Sequence, residues 1–142
     1  MKRKASAVWR GDLKAGRGTI STESTLLKDA QYGFGTRFEN GPGTNPEELI
    51  GAAHAGCFSM ALSAELGKAG FTATEIATTA TVTLDNHPTT SWTVTKIHLE
   101  TVAKIPGIDA AKFATIAAGA KAGCPISRLL AAAEITLDAK LG

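Results

Sequence analysis

Two thiols, one arginine and one glutamate offer this sequence its most reactive chemistry. Cys57 falls in the middle of TNPEELIGAAHAGCFSMALSAELGKAG, residues 44–70, the longest apolar, turn-free stretch of the chain. Cys124 falls in KAGCPISRLL, 67 positions later. Neither belongs to a CxxC pair, which excludes a thioredoxin motif and a zinc ribbon. In a reducing cytosol the two are not expected to form a standing structural disulfide. What remains is thiol chemistry, and that depends on what stabilises a thiolate at each position.

The two positions differ. Cys57 lies twelve residues past the cap of its predicted helix, beyond the reach of the helix N-terminus, whose effect fades within about a turn. A buried thiol with no cation beside it stays protonated and inert. Cys124 precedes Pro125 at a helix start, where free backbone N–H groups favour the thiolate. By itself Cys124 is therefore the more activated of the two, and each also has a plain structural reading as a small packed residue. Arg37 sits between aromatics in the glycine-rich YGFGTRFENGPG, and Arg17, in a turn, is a weaker candidate for the same cationic role. Glu47 could be no more than a helix-start charge. His54 shares a helix face with Cys57, so a metal site with His98 and Cys124 is conceivable. No paired-ligand motif supports it, so no metal is expected. A Cys–His nucleophile pair is equally unspecific. His54 reads as a core or interface residue, His87 as a loop residue and His98 as an exposed strand residue.

The elements that must position these groups can be read from pattern. Residues 4–10 alternate around Val8 and Trp9, and residues 19–25 suit a second strand. Phe34-Gly35-Thr36-Arg37-Phe38 reads as a short extended piece, with Phe34, Thr36 and Phe38 on one face and Arg37 on the other. The central helix opens with Asn45 as N-cap, Pro46 in the first turn, and Glu47 and Glu48 where carboxylates suit the dipole. Lys68-Ala69-Gly70 closes it. Leu49, Ala53, Gly56, Cys57 and Met60 share a stripe, and the run from Gly51 to Gly56 has so little bulk that a second helix is expected against it. Residues 72–85 alternate as a strand, with residues 92–102 as the hairpin partner. Asp109 opens a second helix to about Lys121, Cys124-Pro125 starts a third through Leu130, and Ile135, Leu137 and Ala139 form a last strand. This order is α+β with mainly antiparallel pairing. A helix apolar on more than one side needs more cover than one small sheet, so a homodimer is expected.

The bulk numbers narrow the remaining classes. A chain of 142 residues is expected to be one domain. The net charge of +2 argues against a nucleic-acid partner. Lys2-Arg3-Lys4 is followed by no apolar signal-peptide core. No uninterrupted apolar run reaches the ~18 residues of a membrane span. A cytoplasmic protein with no membrane partner is expected.

TNPEELIGAAHAGCFSMAL, followed far downstream by KAGCPISRLL, resembles the OsmC/Ohr family of osmotically inducible and organic hydroperoxide resistance proteins. YGFGTRFENGPGTNPEEL and the closing AEITLDAKL resemble the OsmC branch, and the likeness covers essentially the whole chain, residues 1–142. The resemblance implies an α+β, OsmC-like intertwined homodimer, with antiparallel sheets wrapped around two central helices. It implies a thiol peroxidase that reduces organic hydroperoxides to alcohols in defence against oxidative and osmotic stress, without a cofactor. Carried over by motif, Cys57 is the peroxidatic cysteine, Cys124 the resolving one with which it forms a disulfide, Arg37 the activating arginine and Glu47 its carboxylate partner. The expected reductant is a dithiol such as a protein-bound lipoyl group. A redox sensor, or a structural dimer of the same fold, is the alternative.

One physical constraint goes with these roles. An ordinary thiol has a pKa near ~8.5, so roughly 3% is ionised at pH 7. An arginine lowers it by about 1–3 units. Glu47 and Cys57 are ten residues apart on one helix, about 15 Å along its axis. If both serve one site, Glu47 comes from a partner subunit. Phe34, Phe38, Met60, Leu49 and Ile50 are available for an apolar mouth.

Overall fold

The computed structural model describes the whole chain, Met1–Gly142, as α+β with two three-stranded sheets and four helices. It forms two compact units, Met1–Leu49 and Ile50–Gly142.

The first unit is built on an antiparallel meander of β1 (Ala5–Arg10), β2 (Arg17–Thr22) and β3 (Ala30–Gly33). Asp12 shapes the first turn, its carboxylate accepting from the N–H groups of Lys14 and Ala15, both at 2.9 Å. Gly18 of β2 must be glycine. A Cβ there would lie 2.2 Å from the Tyr32 ring, and its absence lets Trp9 and Tyr32 meet at 5.4 Å between ring centroids. The segment Phe34–Phe38 is not extended as its alternation suggests; it is the short helix α1. The Gly33 N–H donates to the Thr36 hydroxyl, which donates back to the Gly33 carbonyl, both at 2.9 Å, and this closes the turn. The extended piece lies just before it, as β3.

Helix α2 (Pro46–Lys68) starts where its cap predicts. Asn45 Oδ1 accepts from the Glu48 N–H at 2.8 Å, while Asn45 Nδ2 donates to the Thr36 carbonyl at 3.1 Å. One side chain thereby caps α2 and ties down α1.

In the second unit, α2 lies on a sheet of β4 (Glu75–His87), β5 (Ser91–Lys104) and β6 (Glu134–Leu141). β4 and β5 pair antiparallel, with a register shift between Thr83 and Leu84. β6 departs from the antiparallel pattern and runs parallel to β5, reached through α3 (Ala110–Gly123) and α4 (Pro125–Leu129). Such a crossover is the connection a parallel pair requires. Asp109 caps α3 by accepting from the Lys112 N–H at 2.8 Å. Phe58, Leu62 and Leu66 of α2, Leu99 and Ala103 of β5, and Phe113, Ala117, Ala120 and Cys124 form the core.

The buried face of α2 corrects the predicted stripe. Gly51, His54, Phe58, Leu62 and Leu66 point inward, whereas Ala53, Gly56 and Met60 are exposed, Met60 by 76%. Gly51 closes on strand β4, where a Cβ would lie 3.2 Å from the Ala80 carbonyl, and not on a second helix. Beyond the backbone of α2 itself and the neighbouring residues, no atom of this chain lies within 4 Å of where a Cβ would stand at Gly56. By length and composition the 23-residue α2 would also suffice to cross a membrane, which counting uninterrupted apolar runs did not register. Its inward residues are part of the core of the second unit, as in the core helix of a globular domain.

Phe58→Ala should lower the unfolding free energy by about 3–5 kcal/mol in denaturant titrations at fixed protein concentration. A loss under about 1 kcal/mol would contradict this assignment of the helix face.

Candidate active site

The second unit brings the two cysteines together. α2 presents Cys57 from its middle, and the junction of α3 and α4 presents Cys124. The sulfurs are 3.2 Å apart and both thiols are free. A disulfide needs about 2.05 Å, so roughly one ångström of side-chain movement separates the pair from a bond. Cys57 is partly accessible, whereas Cys124 is fully buried.

Their environments push the two acidities apart. Burial raises the Cys57 pKa above the ordinary thiol value, the neighbouring Cys124 adds to this, and the Ile126 N–H opposes it. Burial is also the largest single influence on Cys124 and acts upward. There, however, the Ser127 N–H, the contact with Cys57, the Ser127 hydroxyl and the Ile126 N–H together carry the pKa below its ordinary value. Within one chain, Cys124 is therefore the sulfur that ionises more readily. This matches the expectation from its place before Pro125, and no cation enters into the Cys57 shift.

Behind the pair is a residue that sequence reasoning missed. Ser127 Oγ is 2.8 Å from His54 Nε2, and both side chains are buried. Burial lowers the His54 pKa, so the ring is neutral at pH 7. The visible hint was spacing: Ser127 follows Cys124 by three residues, the interval at which a side chain returns to a helix cap. His98 sits elsewhere, its Nδ1 2.7 Å from Thr136 Oγ1 across the β5–β6 pair, and is partly buried instead of exposed. No three His, Cys, Asp or Glu side chains converge as metal ligands.

The first unit joins the other two predicted residues. Arg37, from α1, and Glu47, from the first turn of α2, form a two-pronged ion pair. Arg37 Nη2 donates to Glu47 Oε1 at 2.7 Å, and Nε donates to Oε1 and Oε2 at 3.1 and 3.2 Å. The Nη1 side of the guanidinium takes part in none of these bonds. The arginine also stands over the Phe38 ring, 5.4 Å from its centroid. Phe34 and Phe38 line a cavity of about 320 Å³ beside it, with Trp9, Leu13, Tyr32 and Pro46. Leu49, Ile50 and Met60, proposed for an apolar mouth, do not line this cavity.

An α+β chain with an adjacent free thiol pair and a carboxylate-held arginine defines a class of small thiol-bearing proteins. The model of the OsmC-like protein family matches residues 38–140, and the chain belongs to that family. It is 58% identical to Peroxiredoxin OsmC of Escherichia coli (strain K12) over 139 residues, which cover 98% of this chain and 96% of that protein. The same figures hold for Peroxiredoxin OsmC of Shigella flexneri. Its fold is similar to the crystal structure of the organic hydroperoxide resistance protein OhrB of Bacillus subtilis, with a TM-score of 0.69 at 20% identity, covering 98% of both chains.

Mild thiol oxidants should close an intrachain Cys57–Cys124 crosslink without loss of fold, seen by peptide mass mapping and unchanged circular dichroism. Crosslinks between chains, in place of this one, would contradict the geometry.

Proposed function

We propose that this protein is a two-cysteine organic hydroperoxide reductase, acting as one OsmC-like domain in a homodimer. The observation that carries the reading is the sulfur pair: two free thiols at 3.2 Å, of which only Cys57 is open to an incoming peroxide. The names of the relatives point the same way.

In this reading the Cys57 thiolate attacks the distal peroxide oxygen. An S–O bond forms, the O–O bond breaks, the departing alkoxide takes a proton to become the alcohol, and the sulfur is left as a sulfenic acid. The Cys124 thiolate then attacks that sulfur. The S–S bond forms as the S–O bond breaks, and the leaving hydroxide takes a proton from solvent to give water. A dithiol, such as a protein-bound lipoyl group, restores both thiols by exchange and leaves as its own disulfide. No cofactor enters the cycle. A reducing cytoplasm, under oxidative or osmotic stress, is the setting that suits it.

Cys57 needs a cation, because burial raises its pKa. Arg37 is the group available, and its pairing with Glu47 leaves one side of the guanidinium for a thiolate or a peroxide oxygen. Glu47 stands about 15 Å of helix rise from the Cys57 of its own α2. Each active site is therefore composite: one subunit contributes the two cysteines, and its partner contributes the Arg37–Glu47 pair together. Two surfaces support a dimer. Both faces of β1 are exposed, and so is the Ala52, Ala53, Gly56 and Met60 side of α2. The aromatic cavity beside Arg37 suits the alkyl part of an organic hydroperoxide better than it suits hydrogen peroxide.

An alkyl hydroperoxide should be turned over with excess dithiol. Cys57→Ser should abolish turnover, Cys124→Ser should stop it at the sulfenic acid, and Arg37→Ala should slow it at pH 7 by at least about tenfold. Stoichiometric oxidation of wild-type protein without turnover would favour a redox sensor of the same fold. Thiols inert to hydroperoxide would leave only a structural dimer.

A further inference from the structure

We propose that His54 and Ser127 are positioning residues for the thiol pair: their buried hydrogen bond clamps α4 to α2 and so holds Cys124 within bonding range of Cys57. That Cys124 resolves a sulfenic acid rests on the function proposed above; the clamp itself does not.

Helix α4 has little to hold it in place by itself. It spans five residues, Pro125–Leu129, far below the length at which a helix is stable alone. A bend separates it from α3. Cys124 ends one helix and opens the other with a ψ of 123°, an extended value, so no continuous helix passes the order of α3 on to α4. The backbone bonds of α4 stay close at hand: the Arg128 N–H donates to the Cys124 carbonyl at 3.1 Å and the Leu130 N–H to the Ile126 carbonyl at 2.9 Å. Neither fixes where α4 stands relative to α2. Ile126 packs against the core, but apolar contact is non-directional and lets surfaces slide.

Side chains reaching across from α2 supply the direction. Apart from the sulfur contact, His54 Nε2 to Ser127 Oγ at 2.8 Å is the one hydrogen bond between side chains of α2 and α4. His54 precedes Cys57 by three residues and Ser127 follows Cys124 by three, so the two links stand about one turn apart on both elements. A single link would leave α4 free to pivot about it. Two links fix rotation as well as distance. His54 is fully buried and Ser127 is 6% exposed, so water does not compete for their bond. The bond is kept at a cost, because His54 Nδ1 is the one buried side-chain polar atom without a partner. With its hydrogen on Nε2 the neutral ring donates to Ser127 and leaves only a lone pair unmatched, the cheaper of the two orphans. An apolar side chain would fill the place without that loss, but it would not set the separation from α4.

A disulfide closes as readily as the reduced protein holds its sulfurs in bonding geometry. With the clamp in place the pair waits at 3.2 Å. Without it, the reduced form gains arrangements in which Cys124 has swung away, and closing the S–S bond must first suppress them. The clamp therefore favours the disulfide over the dithiol and speeds its closure on a Cys57 sulfenic acid.

The test is the thiol–disulfide equilibrium of the protein with dithiothreitol, read by mass spectrometry after acid quenching, denaturation and alkylation of free thiols. In that exchange the two protein thiols give two electrons and two protons to the cyclic reagent disulfide. The protein S–S bond forms as the reagent's breaks, and no peroxide takes part. Ser127→Ala should lower the equilibrium constant for forming the Cys57–Cys124 disulfide about tenfold, which raises its reduction potential by about 30 mV. His54→Leu should do the same. His54→Gln, which keeps an N–H to donate, should return the potential toward wild type, and the Ser127→Ala/His54→Leu double variant should lose no more than either alone. A residue that merely supports the fold would shift both redox forms equally and leave the potential where it was. A loss of thiolate stabilisation at Cys124 would move it down, because the reduced form would be the one weakened. Circular dichroism identifies variants that have not folded. An unshifted or lowered potential in Ser127→Ala overturns the proposal, even if His54→Leu does not fold, and so does a folded His54→Leu protein with the wild-type potential. Shifted potentials without hydroperoxide turnover in the wild type would count against the proposed function alone.

Discussion

Two sulfurs 3.2 Å apart, one sealed in the core and one at its edge, set the terms for the rest of the molecule. Neither is acidic by nature, and burial makes both less so. Local groups overcome that handicap for Cys124 and not for Cys57. The chain thus folds into a state in which the buried sulfur is the more acidic of the two and the accessible one the less. In the proposed peroxidase, the accessible sulfur then needs a cation from elsewhere.

In the proposed reading, Arg37 supplies that cation. Arg37 does not extend from a loose loop. It is set by α1, whose turn is closed by Thr36 and Gly33, and Asn45 pins that turn to the start of α2. The same asparagine caps the helix that carries Glu47, which grips the guanidinium from the other side. Arginine is suited to this position because its planar fork can bind a carboxylate along one side and still offer N–H groups along another. Ten residues of α2 then separate Glu47 from Cys57. In the proposed dimer that separation is an asset: one helix serves two sites, its capped end in one and its middle in the other.

Much of this was legible in the sequence because it is local. Asn45 and Asp109 announce helix starts by side chains that reach only three residues ahead, and the alternation from Ile76 to Leu84 announces a strand. The four candidate residues were found by motif, and the structure joins them as two pairs. What misled was pattern that fits two periods at once. Phe34 and Phe38 share a face in a strand and are equally i,i+4 neighbours in a helix, so five residues could not decide between them. Helix α2 is apolar around most of its circumference, so periodicity alone could not separate the Phe58, Leu62, Leu66 face from the Ala53, Gly56, Met60 face. Ser127 and the aromatic lining from Trp9 and Tyr32 depend on tertiary placement, which no local rule encodes.

The central claim is that the thiol pair and the Arg37–Glu47 pair of one active site belong to different chains. Subunit mixing tests it most directly. Cys57→Ala and Arg37→Ala homodimers, each inactive or nearly so, are unfolded together, refolded as a mixture and assayed with an alkyl hydroperoxide and dithiol. A shared site predicts recovery of roughly a quarter of wild-type activity, because half of the dimers are mixed and each mixed dimer rebuilds one of its two sites. Activity no higher than that of the separate variants would contradict the account, and would place the arginine and the thiol of each site on the same chain.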